Sequence, residues 1–209
     1  MAVAAGDSPE VAWTALDAGE ADDAALAPAR TELVEAASRV ARAARAGDAA
    51  TALEALVARR LLCAHRRGPY GVEAWNVAVE RWLAVGGPAA GPGEWYAGRP
   101  LLVTANDYAL GLSNGDTGVA VAGADDRLVA AFAPGGRVLT VSPARLAAVE
   151  TTHAMTVHKS QGSQFAAVTI VLPDPTSRLL TRELLYTALT ARERPTAARP
   201  ALRRGRWGR

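Results

Sequence analysis

Ala154 to Phe165, AMTVHKSQGSQF, concentrates residue types that the rest of the chain almost never uses. The only lysine, Lys159, and the only two glutamines, Gln161 and Gln164, all lie in it. With Thr156, His158, Ser160, Gly162 and Ser163 they gather hydroxyl, imidazole, ammonium and amide groups just ahead of the β-prone apolar run Ala166 to Leu172. A polar loop abutting a buried strand is where α/β folds hold ligands, because loops carry function on a rigid scaffold. A solvated turn is the alternative that composition leaves open.

Working outward, Ala167 to Leu172 reads as a strand and Thr181 to Arg194 as a helix. Upstream, residues 1 to 28 lack periodicity and form an irregular lead-in. From about Thr31, Leu33, Ala37, Val40, Ala41 and Ala44 recur at helical spacing, and Gly47 ends the helix. A short second helix, Ala49 to Ala58, precedes a buried strand at Leu61 to Ala64 and a polar loop from His65 to Gly71. Val72, Trp75, Val79, Trp82 and Leu83 mark one face of a further helix that stops at Gly86-Gly87-Pro88. This alternation predicts an α/β fold on a parallel sheet.

Between the two α/β portions the texture changes. Pro100 to Thr104, Thr117 to Ala122, Leu128 to Phe132 and Arg137 to Val141 read as short strands, broken by turn signals such as Asn114-Gly115 and Gly135-Gly136. Such spacing predicts a small inserted barrel. The expected organisation is therefore 29–94 and 147–194 as one α/β domain, 95–146 as an all-β insert, and 195–209 as a basic, disordered tail.

A chain of 209 residues suits one or two domains and can bury a real core. Half the residues are hydrophobic and no apolar run approaches the roughly 20 residues of a membrane span. The start, MAVAAGDSPEVAW, has neither a basic beginning nor an apolar core, so no secretory signal is expected, and the location is expected to be cytoplasmic. The single cysteine, Cys63, lies in an apolar run and is expected to be a buried structural thiol. The net charge of +2 hides an asymmetry: Arg182, Arg192, Arg194, Arg199, Arg203, Arg204, Arg206 and Arg209 face only Glu183 and Glu193 near the end. A basic end favours a polyanion such as nucleic acid. An arginine-rich tail with no specific partner is the other reading.

Four segments carry a family resemblance: LLCAHRRGPYGVEAWN (61–76), GRPLLVTANDYALGLSNGDTGVAV (98–121), AMTVHKSQGSQF (154–165) and LLTRELLYTALTARER (179–194). In this order they resemble the C-terminal portion of a superfamily 1 DNA helicase of the RecD type, the alpha subunit of exodeoxyribonuclease V. The resemblance implies a second RecA-like motor domain, of the UvrD-like helicase C-terminal type, with an inserted small SH3-like β-barrel that helps to grip single-stranded DNA. It implies an ATP-dependent 5′→3′ DNA helicase acting in double-strand break repair and recombination. ATP and Mg2+ are the implied cofactors. Single-stranded DNA, an N-terminal motor half and RecB/RecC-like subunits are the implied partners, with no membrane.

The resemblance also assigns residues. Thr156, His158 and Lys159 are expected at the DNA strand, where a hydroxyl and a cation hold phosphates without reading sequence. Asn106 joins them from the insert, although most of its segment, including Asp107, Asn114, Gly115 and Asp116, is expected to be structural. Gly162 and Gln164 are expected at the nucleotide, glycine letting backbone amides approach phosphates. Gln164 stands where relatives usually have Glu, so a ribose hydroxyl can be bonded without the charge. Arg66 falls where the family places a phosphate-sensing arginine, a solvated arginine at a strand end being the plainer reading. Asn76 reads as a cap or a bridge between loops. Tyr108 is expected in the core or at the barrel rim, and Trp75 and Trp82 on a helix packing face.

Two departures limit the expectation. A motor needs a phosphate loop GxxxxGK[ST], and here the sole lysine is preceded by His158. No Asp-Glu pair follows a β run for the metal either, so these residues are expected to lack the first motor domain, and no metal site is expected. Secondly, the family reads TALTRAR where this chain has Thr187-Ala188-Leu189-Thr190-Ala191-Arg192. An arginine that stabilises the transferring phosphate is worth on the order of 10³ to 10⁵ in rate. Arg192 is displaced by one residue, about 100° around a helix. A frameshifted or divergent end is expected past Arg194. The chain alone is expected not to hydrolyse ATP. The other readings are a non-enzymatic single-stranded-DNA-binding or docking module, and a remnant of a truncated gene.

Overall fold

The computed structural model describes residues 24–84, 94–124, 127–174 and 176–192. The lead-in as far as residue 23, the Gly86 to Pro88 turn and the basic tail lie outside them.

Helix α1 (Ala27–Arg45) starts ahead of the expected Thr31. Pro28 occupies its first turn, where a fixed φ suits the helix and no N–H is needed. Leu33, Ala36, Val40 and Ala44 bury one stripe. Gly47, at φ 72°, turns the chain. Asp48 then caps α2 (Ala49–Ala58), its Oδ1 accepting from Thr51 N at 3.0 Å.

Strand β1 (Arg59–Cys63) follows directly and forms the middle of a three-stranded parallel sheet between β7 (Ala154–Thr156) and β8 (Ala167–Val171). Leu62 pairs with Met155 on one side and Ile170 on the other. A central parallel strand is covered on both faces, so its run of apolar residues splits by period two. Leu61 and Cys63 pack beneath α1 and α3 (Val72–Ala84), with Trp75, Val79 and Trp82. Leu62 packs on the opposite face with Met155, Phe165, Leu184 and Ala188, the last two from α4 (Arg182–Thr190). Trp75 and Trp82 meet edge to face, centroids 6.1 Å apart and planes at 78°, which is the packing role expected of them. Cys63 is buried as expected, and burial pushes its thiol up to about 12.

The insert is an antiparallel five-stranded sheet, ordered β5-β4-β3-β2-β6. Its strands are β2 (Pro100–Val103), β3 (Thr117–Ala122), β4 (Leu128–Phe132), β5 (Leu139–Val141) and β6 (Val149–Thr151). The sheet thus reaches Thr151, five residues beyond the expected edge at 146. One face buries Leu101, Val103, Ala130 and Phe132 under Leu112 and Leu146. The other buries Val119, Val121 and Ala131 against Val40, Ala44, Ala52 and Leu56 of the α1–α2 hairpin. Gly98 permits this docking: at φ 97°, a Cβ there would lie 2.6 Å from Ala41 Cα. Among the described residues no helix is long and apolar enough to cross a membrane.

Candidate functional site

All three strands of the parallel sheet end on one edge, and the polar stretch starts there. After β7, Val157 N donates to Cys63 O at 3.0 Å, extending the ladder by one bond. The chain then closes a tight 3-10 turn, His158–Ser160. Thr156 Oγ1 accepts from Lys159 N at 3.2 Å, and buried Ser160 donates from Oγ to Val157 O at 2.8 Å. Two hydroxyls therefore hold the turn, and Thr156 keeps a proton to donate. His158 is exposed and Lys159 half-buried. Neither side chain has a hydrogen bond or ion pair with the described residues, so an ammonium and an imidazole are free to meet an anion.

Gly162 follows at φ 82°, with open space where a Cβ would stand. Ser163 N returns to Ser160 O at 3.0 Å. The N–H groups of Gly162 and Gln164 have no acceptor among the described residues. Such backbone donors beside a glycine suit phosphate oxygens.

Arg66 shares the edge on which the turn lies, in the loop after β1. It is engaged: Nη2 lies 3.1 Å from Glu150 Oε1 and Nε 3.6 Å from Glu73 Oε1. The side chains in these pairs are about half exposed or more, so they cost little to exchange for another anion. Gln164 lies elsewhere. Phe165 N donates to Ala191 O at 2.9 Å and Ala166 N to Val57 O at 3.2 Å, so the chain has crossed back to the amino edge. Arg66 and Gln164 thus sit at opposite ends of the sheet. Arg192 joins the Gln164 end through a parallel bridge with Phe165. That bridge follows from the end of α4 at Thr190, short of the expected Arg194.

In the insert, Asn106 Oδ1 accepts from Asn114 N at 2.8 Å and its Nδ2 donates to Tyr108 Oη at 3.3 Å. Asp107 Oδ1 accepts from Ala109 N and Leu110 N, and Asp116 Oδ2 accepts from Ser113 N at 2.8 Å. Asn114-Gly115 makes its turn with Asp116 N on Ser113 O, inside a loop longer than a two-residue hairpin. These polar groups hold the loop, and Asn106 is exposed and tied at both ends. Tyr108 is 90% exposed, which rules out the core half of its expected place, because Leu110 and Leu112 fill the sheet interior instead.

The junction between the two sheets carries Asn76 together with Arg60 and His153, which sequence reasoning missed. Asn76, read as a cap or bridge, joins the sheets: Oδ1 accepts from Ala154 N at 2.8 Å and Nδ2 donates to Thr151 O at 3.2 Å. Arg60 is 2% exposed, donates Nη1 to Thr152 O at 2.9 Å and lies 5.4 Å from the Phe165 ring centroid. Burial lowers its pKa to about 10. Only the period-two placement of Arg60 on the Leu62 face could have flagged it. Beside it, His153 takes a 3.2 Å hydrogen bond between Nε2 and Tyr96 Oη. Burial first, and the Arg60 charge second, push the His153 pKa down to about 3.

This depression has a consequence for acid stability. An unfolded imidazole binds a proton near pH 6.5 and the folded one does not until about 3, so the unfolded chain gains protons in between. Stability contributed by the neutral ring is complete above pH 6.5 and declines as pH falls toward 3. Urea titrations from pH 7.5 to 4.5 should show the wild type losing up to about 1.4 kcal/mol per pH unit more than His153→Gln. Parallel curves would refute the neutral ring.

The pattern of the UvrD-like helicase C-terminal domain matches residues 151–193. The chain is 58% identical over 140 residues to RecBCD enzyme subunit RecD of Mycolicibacterium smegmatis, covering 66% of this chain and 24% of that protein. It is 52% identical over 176 residues to RecBCD enzyme subunit RecD of Mycobacterium tuberculosis, covering 83% of this chain and 30% of that protein. An ATP-dependent RecD2 DNA helicase of Deinococcus radiodurans is 34% identical over 140 residues, covering 66% of this chain and 19% of its own length. The chain thus spans less than a third of the relatives it matches. A crystal structure of Pif1 helicase from Bacteroides with ADP-AlF3 and ssDNA overlays with a TM-score of 0.43 at 16% identity, over 76% of this chain and 47% of that one.

Proposed function

From a chain that corresponds to the C-terminal portion of a RecD-type helicase, we propose one wall of an ATP-dependent 5′→3′ DNA motor acting in double-strand break repair and recombination. The observation that carries this reading is the turn after β7. It presents Thr156, His158 and Lys159 at the strand edge, with the last two unpaired among the described residues. These three grip the phosphates of single-stranded DNA, and Asn106 adds a contact from the insert, which we read as a small SH3-like barrel. Gly162 and Gln164 hold nucleotide through backbone amides and a side-chain amide. Arg66 exchanges Glu73 and Glu150 for phosphate, and Arg192 is the displaced arginine finger. Because Arg66 and Gln164 lie at opposite ends of the sheet, they contact different parts of the nucleotide or act at different stages. ATP with Mg2+ supplies the driving reaction. The motor acts in the cytoplasm, with an N-terminal motor half and RecB/RecC-like subunits as partners.

These 209 residues contain no GxxxxGK[ST]. We therefore expect the chain alone to bind DNA without turning over ATP, which also keeps open a non-enzymatic DNA-binding or docking module. Fluorescence anisotropy with a labelled oligothymidylate tests the grip. Binding should weaken steeply with salt, and Lys159→Ala should weaken it roughly tenfold or more while lowering the log–log salt slope by about 0.7. Binding unaffected by Lys159→Ala would overturn the assignment of the turn. DNA-stimulated ATP turnover by the chain alone would overturn its proposed inactivity.

A further inference from the structure

Of the large hydrophobic side chains exposed in the described structure, Tyr108 is the most open, at 90%. The loop that carries it, residues 104–116 between β2 and β3, is tightly fixed. Asp107 and Leu112 exchange backbone hydrogen bonds of 2.8 and 3.0 Å, and Gly115 N on Val103 O closes the base at 2.9 Å. Asp107 Oδ1 accepts from Ala109 N and Leu110 N, the amides that directly follow the tyrosine. Asn106 donates from Nδ2 to Tyr108 Oη at 3.3 Å, and its own Oδ1 is held by Asn114 N. A ring already fixed in this way loses little freedom on binding, and its faces are open.

The strand that feeds the loop climbs toward the edge where the His158–Ser160 turn lies. β2 starts at Pro100, whose carbonyl accepts from Thr152 N beside Arg60, near the amino edge of the parallel sheet. Two residues on, Leu102 shares a core cluster with Ala64 and Val157, the residues that follow β1 and β7 at the carboxyl edge. Glu150, opposite Leu102 on β6, reaches Arg66 on that same edge. β2 ends one residue later, so the loop and the turn lie toward one end of the molecule.

Composition narrows what the loop can hold. Residues 104–116 contain no lysine or arginine and two aspartates, Asp107 and Asp116, so their charge disfavours phosphate. The exposed neighbours Ala105, Asn106, Ala109 and Gly111 are small or polar. The anchor of a protein interface sits among contacts that exclude water, and these neighbours offer little apolar surface for that. A bare ring stacks on another flat aromatic, and every base of a single strand presents one whatever the sequence.

We propose that Tyr108 is a base-stacking platform for single-stranded DNA, so that the turn after β7 holds phosphates while the insert holds a base. This rests on the reading of the turn as a grip on single-stranded DNA, and it adds which part of the nucleotide the insert takes.

The test is fluorescence anisotropy of the full chain on a labelled oligothymidylate and on an abasic strand of the same length. Tyr108→Ala should weaken thymidylate binding roughly 5- to 150-fold, the range for one lost base–aromatic stack, and leave the log–log salt slope unchanged. Its binding to the abasic strand should match the wild type. Tyr108→Phe and Tyr108→Trp, which keep a ring, should retain the thymidylate affinity. Because the side chain is exposed, Tyr108→Ala should also keep the wild-type thermal midpoint. Equal weakening on both strands would overturn the stacking role. Thymidylate binding unchanged in Tyr108→Ala but weakened in Lys159→Ala would overturn it as well, leaving the grip of the turn in place. Weakening by Tyr108→Ala alone would support the stack and remove the turn. A wild type that binds neither strand would overturn both.

Discussion

Trp75→Ala is expected to lower the unfolding free energy by about 3 to 5 kcal/mol, the range for emptying a buried aromatic site. Trp75 is 3% exposed and packs with Trp82, Leu33, Leu61, Cys63 and Ala154, so its removal opens a void between the two helices α1 and α3 and the parallel-sheet strands β1 and β7 that they cover. The edge-to-face contact with Trp82 adds about 0.5 to 1.5 kcal/mol beyond area. No hydrogen bond is lost, because the indole Nε1 has no partner. Against a typical domain stability of about 5 to 15 kcal/mol the loss is large. Urea denaturation should show a midpoint moved well down at constant m-value. Trp75→Phe, which keeps a ring and discards the unsatisfied N–H, should lose much less. A loss below about 1.5 kcal/mol in Trp75→Ala would mean that the cluster collapses around the gap.

Asn76→Ala should cost about 2 to 4 kcal/mol, for a different reason. The side chain satisfies Ala154 N and Thr151 O together, and deleting it leaves a donor and an acceptor half-buried without partners. Each such orphan costs about 1 to 3 kcal/mol. The damage should be local as well as global, because Asn76 fixes the entry of β7 two residues before Thr156. Hydrogen exchange at the Ala154 amide should accelerate in the variant beyond what the global loss accounts for. An unchanged amide would show that the β1–β7 ladder alone holds this strand. A variant that still folds should also bind oligothymidylate more weakly, since Lys159 and His158 rest on a turn whose foundation has loosened.

Much of the layout was legible in the chain. Helical spacing through Leu33, Val40 and Ala44, the apolar run at Leu61, and the face through Trp75, Val79 and Trp82 each specified an element, since burial of a periodic stripe is the force that forms it. The turn chemistry of Asn114-Gly115 and Gly135-Gly136 likewise marked breaks between strands. Boundaries were less legible. Helix α1 starts earlier than its apolar stripe because Pro28 and the alanines tolerate helix without packing. β6 joins the insert sheet because Leu101, Leu102 and Val103 need a second partner strand, and a three-residue strand carries too little pattern to be seen in advance.

The candidate site divides along the same line. Composition alone singled out Ala154 to Phe165, and its residue types determined that the stretch could bind phosphates: one ammonium, one imidazole, free hydroxyl protons and a glycine. Only the tertiary structure decided which of those groups are free. Folding uses up Ser160 and half of Thr156 within the turn, while Lys159 and His158 keep no partner among the described residues. It puts Arg66 and Gln164 at opposite edges, because parallel strands send consecutive loops to one side and the return path to the other. It also buried Arg60, which reads in sequence as one more arginine among many, and turned Tyr108 outward. Both outcomes are set by which face of a sheet a residue occupies and what already fills it, and that depends on strands distant in sequence.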